Sequence, residues 1–256
     1  MEIWGFLASF VLGAGFGSFL NVLVYRSKKE ISLLEPSSFC PNCEEKIRWY
    51  DNIPILSFLL LGGKCRNCKE EISWQYFLVE LWLALVFLFI WRFHGLDSGV
   101  IIILRDWFTV FVLTFIFTYD LRYQQILDRV TIPAILIIFF VNAFFGWVGA
   151  TAMILGAAVA GGFFLLQFVV SRGRWIGGGD IRLGVLMGVI LGWPEVLLAL
   201  FLAYVIGAVI SIILLIFKDK SFTSKTPFGV YLSIGTFIAL FFYDEILNWY
   251  LNLVLF

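Results

Sequence analysis

Long apolar stretches, each near the length needed to cross a lipid bilayer, constrain this chain more than any other feature of its sequence. A spanning helix needs about 20 predominantly apolar residues, because a helix rises about 1.5 Å per residue and the hydrocarbon layer is about 30 Å thick. The clearest such stretches are 3–25, 76–93, 100–119, 130–148, 151–170, 196–217 and 228–254. A shorter one, 181–192, reaches spanning length only if the glycines before it are included. We therefore predict an all-α polytopic membrane protein with about eight transmembrane helices.

The composition agrees with this class and excludes others. Hydrophobic residues make up 61% of the chain and charged residues only 14%, which does not suit a water-facing surface. The formal net charge is zero, so there is no electrostatic reason to expect a nucleic-acid partner. The lipid bilayer is the expected surroundings.

The positions of Lys and Arg predict how the chain is oriented, since cytoplasmic loops retain these residues. With eight helices, one side receives only Arg92 and Arg105. The other side receives the remaining sixteen of eighteen: Arg26, Lys28, Lys29, Lys46, Arg48, Lys64, Arg66, Lys69, Arg122, Arg129, Arg172, Arg174, Arg182, Lys218, Lys220 and Lys225. We expect that side to be cytoplasmic. The first stretch has its basic residues after the apolar run, which favours an uncleaved helix over a secretory signal.

All four cysteines lie in the one sizeable hydrophilic segment, residues 26–75. They form two pairs with two residues between the members of each, Cys40 with Cys43 and Cys65 with Cys68. This spacing is typical of a tetrahedral four-thiolate zinc site, which leaves no open position and is therefore structural. Disulfides are the alternative, but they rarely persist in the reducing cytoplasm. The expected domains are a first transmembrane helix (1–25), a zinc-stapled cytoplasmic loop (26–75) and a membrane domain (76–256).

Two aspartates stand where apolar helices meet the cytoplasmic side. Asp120 ends the third predicted helix, and Asp180 follows Gly177, Gly178 and Gly179. A single Asp at a helix end is usually a solvated charge, but three glycines would break a membrane helix there. Irregular backbone at membrane depth is tolerated only when it is buried in protein or lines a cavity. Two carboxylates that share one site can hold one proton between them, which suits peptide hydrolysis.

The other candidate residues are weaker. Glu80 is expected to complement the dipole of the second helix rather than to be catalytic. Asp106 lies about 21 Å from Asp120 along a helix, too far to join the pair. Asp128 is the most plausible substitute for either partner. His94 falls on the outer side, which disfavours a triad with a serine or cysteine.

The motifs of this chain resemble, in order, those of the type IV prepilin peptidases. They are Gly17-Ser18-Phe19-Leu20-Asn21-Val22 with Tyr25-Arg26, the two cysteine pairs, Asp51-Asn52-Ile53-Pro54, Leu78-Val79-Glu80, Asp120 with Asp128, the GxGD-type Gly177 to Asp180, and Pro227-Phe228-Gly229. The resemblance implies an inner-membrane aspartyl endopeptidase that cleaves prepilin or pseudopilin leaders after a glycine on the cytoplasmic face. It maps the catalytic aspartates to Asp120 and Asp180.

Further expectations come from the same resemblance. The active-site loop would contain Gly177, Gly178, Gly179 and Arg182, where Arg182 stands at a position that is usually Lys. Many members also methylate the new N-terminal amine with S-adenosylmethionine, an activity associated with the cysteine loop. Two alternatives stay open. One is a GxGD intramembrane protease with other substrates; the other is a non-enzymatic, zinc-stapled transporter that uses the two Asp as an ion relay.

Overall fold

The structure is a computed structural model that describes residues 2–32, 38–95, 98–217 and 226–255. Lys218, Lys220 and Lys225, which the charge argument placed on the cytoplasmic side, lie outside the described residues. Within the described ranges the chain forms nine α-helices, and its only β-pairing is two isolated bridges in the cysteine loop. The helices are α1 (Glu2–Lys29), α2 (Leu56–Leu60), α3 (Trp74–His94), α4 (Val100–Tyr123), α5 (Asp128–Phe145), α6 (Ala150–Ser171), α7 (Gly178–Leu191), α8 (Glu195–Phe217) and α9 (Phe228–Leu255).

The predicted membrane helices are all present. Among the described residues, seven helices are long and apolar enough to span a bilayer: α1, α3, α4, α5, α6, α8 and α9. The eighth predicted helix is α7, which has only 14 residues. The prediction of an all-α polytopic membrane protein is confirmed. The division into 1–25, 26–75 and 76–256 stays a prediction.

The described chain separates into two compact units, residues 1–111 and 112–256. In the first unit, α1 packs along α3 at very short range. A Cβ atom on Gly13 would lie 2.4 Å from the Leu83 carbonyl oxygen, and one on Gly17 would lie 2.5 Å from the Glu80 Cα atom. Such distances admit only glycine, and small residues are what allow helices to approach closely in lipid.

In the second unit, α7 contacts α5, α6, α8 and α9. From Leu183 to Leu191 every residue of α7 except Val185 is buried. Because protein surrounds this helix, its length need not match the bilayer. Its closest contact is with α6, where a Cβ atom on Gly188 would lie 2.2 Å from the Gly156 carbonyl carbon. Within α6, a Cβ atom on Gly156 would lie 2.8 Å from the Gly188 carbonyl oxygen, whereas one on Gly162 would meet nothing within 4 Å.

Candidate active site and metal centre

Asp120 lies in the last turn of α4, and its side chain is enclosed by the start of α9. Only 5% of the residue is exposed. The backbone amides of Gly229 and Val230 face its carboxyl group. The Oδ2 atom nevertheless has no hydrogen-bond partner among the residues that the structure describes. A buried carboxyl oxygen without a partner is costly, so this atom is available to a reacting group.

Asp180 is the third residue of α7 and is half-buried. Its Oδ2 atom accepts a hydrogen bond of 3.0 Å from the Gly177 backbone N–H, which fixes the side chain over the start of the helix. The sequence predicts that the three glycines interrupt a spanning helix. Instead, Gly177 precedes α7 and Gly178 is its first residue, so the irregular backbone is a helix start.

The two carboxyl groups are brought together around Ile126, in the connection between α4 and α5. A Cβ atom on Gly179 would lie 2.8 Å from the Ile126 Cβ atom. One on Gly229 would lie 3.1 Å from the Ile126 Cδ1 atom and 2.9 Å from the Asp120 Oδ2 atom. Asp120 and Asp180 are close enough to interact electrostatically. The tertiary structure therefore brings the two aspartates that the sequence singled out within electrostatic range of each other.

Asp128 and Arg182 form an ion pair with each other. Both side chains are about half exposed, at 48% and 43% respectively. Asp128 is the first residue of α5 and Arg182 lies in α7, so the pair links the beginnings of two helices that flank the aspartates. A carboxylate held by an arginine in this way is a poor substitute for either member of the pair.

Asp106 and His94 are likewise occupied elsewhere, in the first unit. The Asp106 carboxylate accepts hydrogen bonds from Arg105 (2.7 Å) and lies 2.6 Å from the His94 Nε2 atom. Asp106 is nearly fully buried, and these partners satisfy its charge.

The four cysteine sulfurs converge in the loop. All four cysteines are free thiols, and their Sγ atoms lie within 4.8 Å of one another. Zn–S bonds of about 2.3 Å in a tetrahedron place sulfurs about 3.8 Å apart, and the Cys40 and Cys68 Sγ atoms are 3.9 Å apart. The cluster therefore fits a metal ion of this kind.

The two cysteine turns are built alike. In each, the first cysteine's N–H donates to a carbonyl five residues later, Glu45 in the first turn (3.0 Å) and Glu70 in the second (2.8 Å). Each turn also places its asparagine amide on a sulfur of the other, Asn42 on Cys68 and Asn67 on Cys43, at 3.7 Å in both cases. These reciprocal contacts orient the sulfurs from outside the ligand set.

The thiols differ in their acidity. Burial raises the pKa of the Cys40 thiol to about 11. A hydrogen bond from the Glu70 backbone N–H lowers the pKa of the Cys68 thiol to about 7. Because a metal binds thiolates, ion binding must release protons from this cluster.

Glu80 does not have the role expected for it. The prediction that it complements the helix dipole is wrong, because α3 begins at Trp74 and no acidic residue lies in its first turn. Instead, its Oε2 atom accepts a 2.7 Å hydrogen bond from the Ile55 backbone N–H, and the Ser18 hydroxyl contacts the same carboxylate. The Glu80 carboxylate thus binds the backbone of a loop residue that is distant in the sequence.

An open cleft of about 710 Å³ lies beside α2. Its lining residues are Phe58, Leu59, Gly62, Gly63, Lys64, Glu71, Ile72, Ser73 and Trp74. Lys64 and Glu71 are paired across one of the two β-bridges. The lining therefore combines aromatic rings with charges of both signs.

Ile126 and Gly229 were not identified from the sequence as site residues. Gly229 belongs to the Pro227-Phe228-Gly229 motif, which carried no role until the structure placed it against Asp120. Ile126 had no signal, since an isolated isoleucine near a helix end is unremarkable. Tyr204 of α8, whose phenol lies within electrostatic reach of Asp180, was missed for the same reason.

Comparison with known proteins gives one consistent result. The model of the bacterial peptidase A24 N-terminal domain matches residues 11–93, and that of the type IV leader peptidase family matches residues 107–212. The prepilin leader peptidase/N-methyltransferase of Pseudomonas putida is 31% identical, with 96% of both chains covered. That of Legionella pneumophila is 29% identical over 92% of this chain and 91% of its own. No solved structure matches the chain. With both family models in order along its length, the chain belongs to the type IV leader peptidase family.

Proposed function

We propose that this protein cleaves the leader peptide from type IV prepilins or pseudopilins, after a glycine, and then methylates the new N-terminus. The observation that carries the first half is the meeting of Asp120 and Asp180 around Ile126. The names of the relatives support the substrate class and the second activity. Asp120 and Asp180 are the proposed catalytic residues.

The paired carboxyl groups suit hydrolysis of a peptide bond. Two carboxylates at one site share a proton, because both cannot be charged comfortably. The charged partner takes a proton from water, whose oxygen attacks the scissile carbonyl carbon, while the neutral partner donates its proton to the carbonyl oxygen. When the intermediate collapses, the C–N bond breaks and the leaving amine takes up a proton. The Gly177 backbone N–H supports the proton transfers by holding the Asp180 carboxyl group in place.

The second reaction would occur at the amine that cleavage exposes. The amine nitrogen takes a methyl group from the sulfonium of S-adenosylmethionine and loses a proton, leaving a neutral thioether. The region that matches the type IV leader peptidase family contains both aspartates. The region that matches the bacterial peptidase A24 N-terminal domain contains all four cysteines. This division supports assigning methyl transfer to the first unit.

The metal in this proposal is a structural zinc ion held by Cys40, Cys43, Cys65 and Cys68. Four thiolates occupy every tetrahedral position, so the ion would contribute stability to a loop too small to form a core. The proposed location is the inner membrane, with the aspartates and the cysteine loop on the cytoplasmic side. The asymmetry of Lys and Arg supports this orientation.

Mass spectrometry of a purified prepilin incubated with the enzyme and S-adenosylmethionine tests the proposal. Wild type should yield a product shortened by the leader and heavier by one methyl group. Asp120→Asn and Asp180→Asn should each lower the cleavage rate by about 10²- to 10⁴-fold, the usual contribution of a general acid or base.

Asp128→Asn is the matched control, because it removes a nearby carboxylate that is already paired with Arg182. Its cleavage rate should stay within about tenfold of wild type. Intact prepilin after incubation with well-folded wild type would overturn the proposed function. Full cleavage by either Asp120→Asn or Asp180→Asn would overturn the assignment of the pair.

A further inference from the structure

The connection before α2 contains a strained backbone. Ile55 has φ 65° and ψ −55°, and the Leu56 N–H donates to the Pro54 carbonyl at 2.6 Å. These values describe a three-residue γ-turn with positive φ, a rare and strained form. A β-branched residue pays the greatest steric cost there. Glycine would adopt this conformation freely, so the isoleucine has to be held in it.

Glu80 is the group that holds the turn. Its Oε2 atom accepts the Ile55 N–H at 2.7 Å, and Ser18 of α1 contacts the same carboxylate. On the other side of the turn, the Ser57 hydroxyl donates to the Tyr50 carbonyl at 2.9 Å. The contacts come from α1, from α3 and from the loop itself, which is how a strained conformation becomes fixed.

The position of Glu80 argues against a purely stabilising role. The residue is 8% exposed and lies within the apolar stretch of α3. An ionisable side chain in such a stretch is costly, and those that occur there usually serve function. Gly17 is also required beside it, since a Cβ atom there would lie 2.5 Å from the Glu80 Cα atom. The buried Glu80 carboxylate and the strained turn at Ile55 each cost folding free energy, and they occur at the same place.

The turn determines where α2 begins. Ile55 directly precedes α2, and Phe58 and Leu59 of α2 form one wall of the cleft of about 710 Å³. Releasing the Ile55 N–H would let the turn relax to a negative φ and would change the direction of α2. The shape of the cleft therefore depends on the hydrogen bond from Ile55 to Glu80.

We propose that Glu80 is a positioning residue for methyl transfer, acting through the γ-turn at Ile55 on α2 and the cleft beside it. The proposal rests on the proposed function for the occurrence of methyl transfer. All of its residues belong to the first unit and to the part matched by the bacterial N-terminal domain model, residues 11–93. Asp120 and Asp180 belong to the other unit, so cleavage should not depend on Glu80.

The test measures both reactions in one sample. Wild type, Glu80→Leu and Glu80→Gln are incubated as full-length protein with a purified prepilin over a range of S-adenosylmethionine concentrations. Mass spectrometry then gives the cleaved and methylated fractions. Glu80→Leu should lower kcat/KM for methylation by about tenfold to hundredfold, while the cleavage rate stays within about twofold. Glu80→Gln keeps an acceptor oxygen for the Ile55 N–H and should stay within about threefold of wild type in both reactions.

A double variant separates positioning from folding. Glycine at position 55 accepts positive φ without strain, so Glu80→Leu with Ile55→Gly should methylate at least about threefold faster than Glu80→Leu alone. Zinc content and cleavage rate report that each preparation is folded.

Three results would overturn the inference: methylation by Glu80→Leu within about twofold of wild type, a loss in Glu80→Gln as large as in Glu80→Leu, or no rescue by Ile55→Gly. If wild type cleaves but does not methylate, the methyl-transfer half of the proposed function fails, and the inference fails with it.

Discussion

Adding one methyl group should slow cleavage at Gly179 but have little effect at the neighbouring Gly178. At Gly179 the new Cβ atom would lie 2.8 Å from the Cβ atom of Ile126, whereas at Gly178 it would meet nothing within 4 Å. Neither glycine requires positive φ. Gly179→Ala and Gly178→Ala are therefore a matched pair that differs in one close contact.

The size of the effect follows from that contact. Carbon atoms in van der Waals contact lie at least about 3.5 Å apart, so Gly179→Ala forces a separation of about 0.7 Å. The Ile126 Cβ atom is bonded to the main chain and cannot rotate away. The displacement falls on the residue before Asp180, and a misplacement of about 1 Å can cost 10²-fold in rate. We expect Gly179→Ala to cleave prepilin about 10- to 100-fold more slowly, and Gly178→Ala to stay within about twofold of wild type.

Initial cleavage rates at saturating prepilin, measured by gel densitometry or mass spectrometry, would decide the matter. Ile126→Ala removes the atoms beyond Cβ but keeps the clashing atom, so it should not rescue Gly179→Ala. Ile126→Gly removes the clash and should restore part of the rate. Equal losses at Gly178 and Gly179 would refute the reasoning, since they would mean that substrate contact rather than Ile126 makes these glycines necessary.

Three further outcomes follow from the structure. Asn42→Ala and Asn67→Ala each remove an amide from a sulfur of the opposite turn and should weaken zinc binding about 10- to 100-fold in competition with a fluorescent chelator. Zinc affinity should fall as pH decreases from 8 to 6, because ion binding displaces protons from thiols such as Cys40, whose pKa is raised by burial; an affinity independent of pH in the same titration would contradict this. Gly188→Ala should lower the free energy of unfolding by about 1–3 kcal/mol, because its new Cβ atom overpacks against α6. Gly162→Ala should not lower it, because the new Cβ atom there meets nothing within 4 Å.

Most of the fold could be predicted because its signals are local. An apolar stretch of about 20 residues forms a membrane helix whatever its neighbours, since the lipid leaves no other partner for the backbone. The spacing of two residues within each cysteine pair is also a local signal, because it lets both sulfurs of the turn face one metal ion. The sequence did not predict the short helix α2, and among the predicted membrane helices it described α7 incompletely. The 14 residues of α7 suffice because α5, α6, α8 and α9 surround it.

Only part of the candidate site could be predicted from the sequence. Asp120 and Asp180 stood out because charges are rare in apolar surroundings, and glycines beside one of them are rarer still. Ile126 and Gly229 had no comparable signal, because their importance lies in contacts with residues far along the chain. Their closeness to Gly179 and Asp120 appears only when four helix ends are assembled.

Glu80 shows the same division most clearly. Its position in an apolar helix was visible from the sequence. Its role was misjudged because the helix dipole can be inferred from neighbouring residues, whereas the hydrogen bond from Ile55 joins residues far apart in the sequence. The sequence by itself determined the membrane class, the membrane helices, the four-cysteine cluster and the two candidate aspartates, since each depends on composition or spacing over a few residues. Which side chains meet, which glycines cannot be replaced and what a buried carboxylate holds were decided by the tertiary structure, because packing joins groups whose separation along the chain carries no pattern.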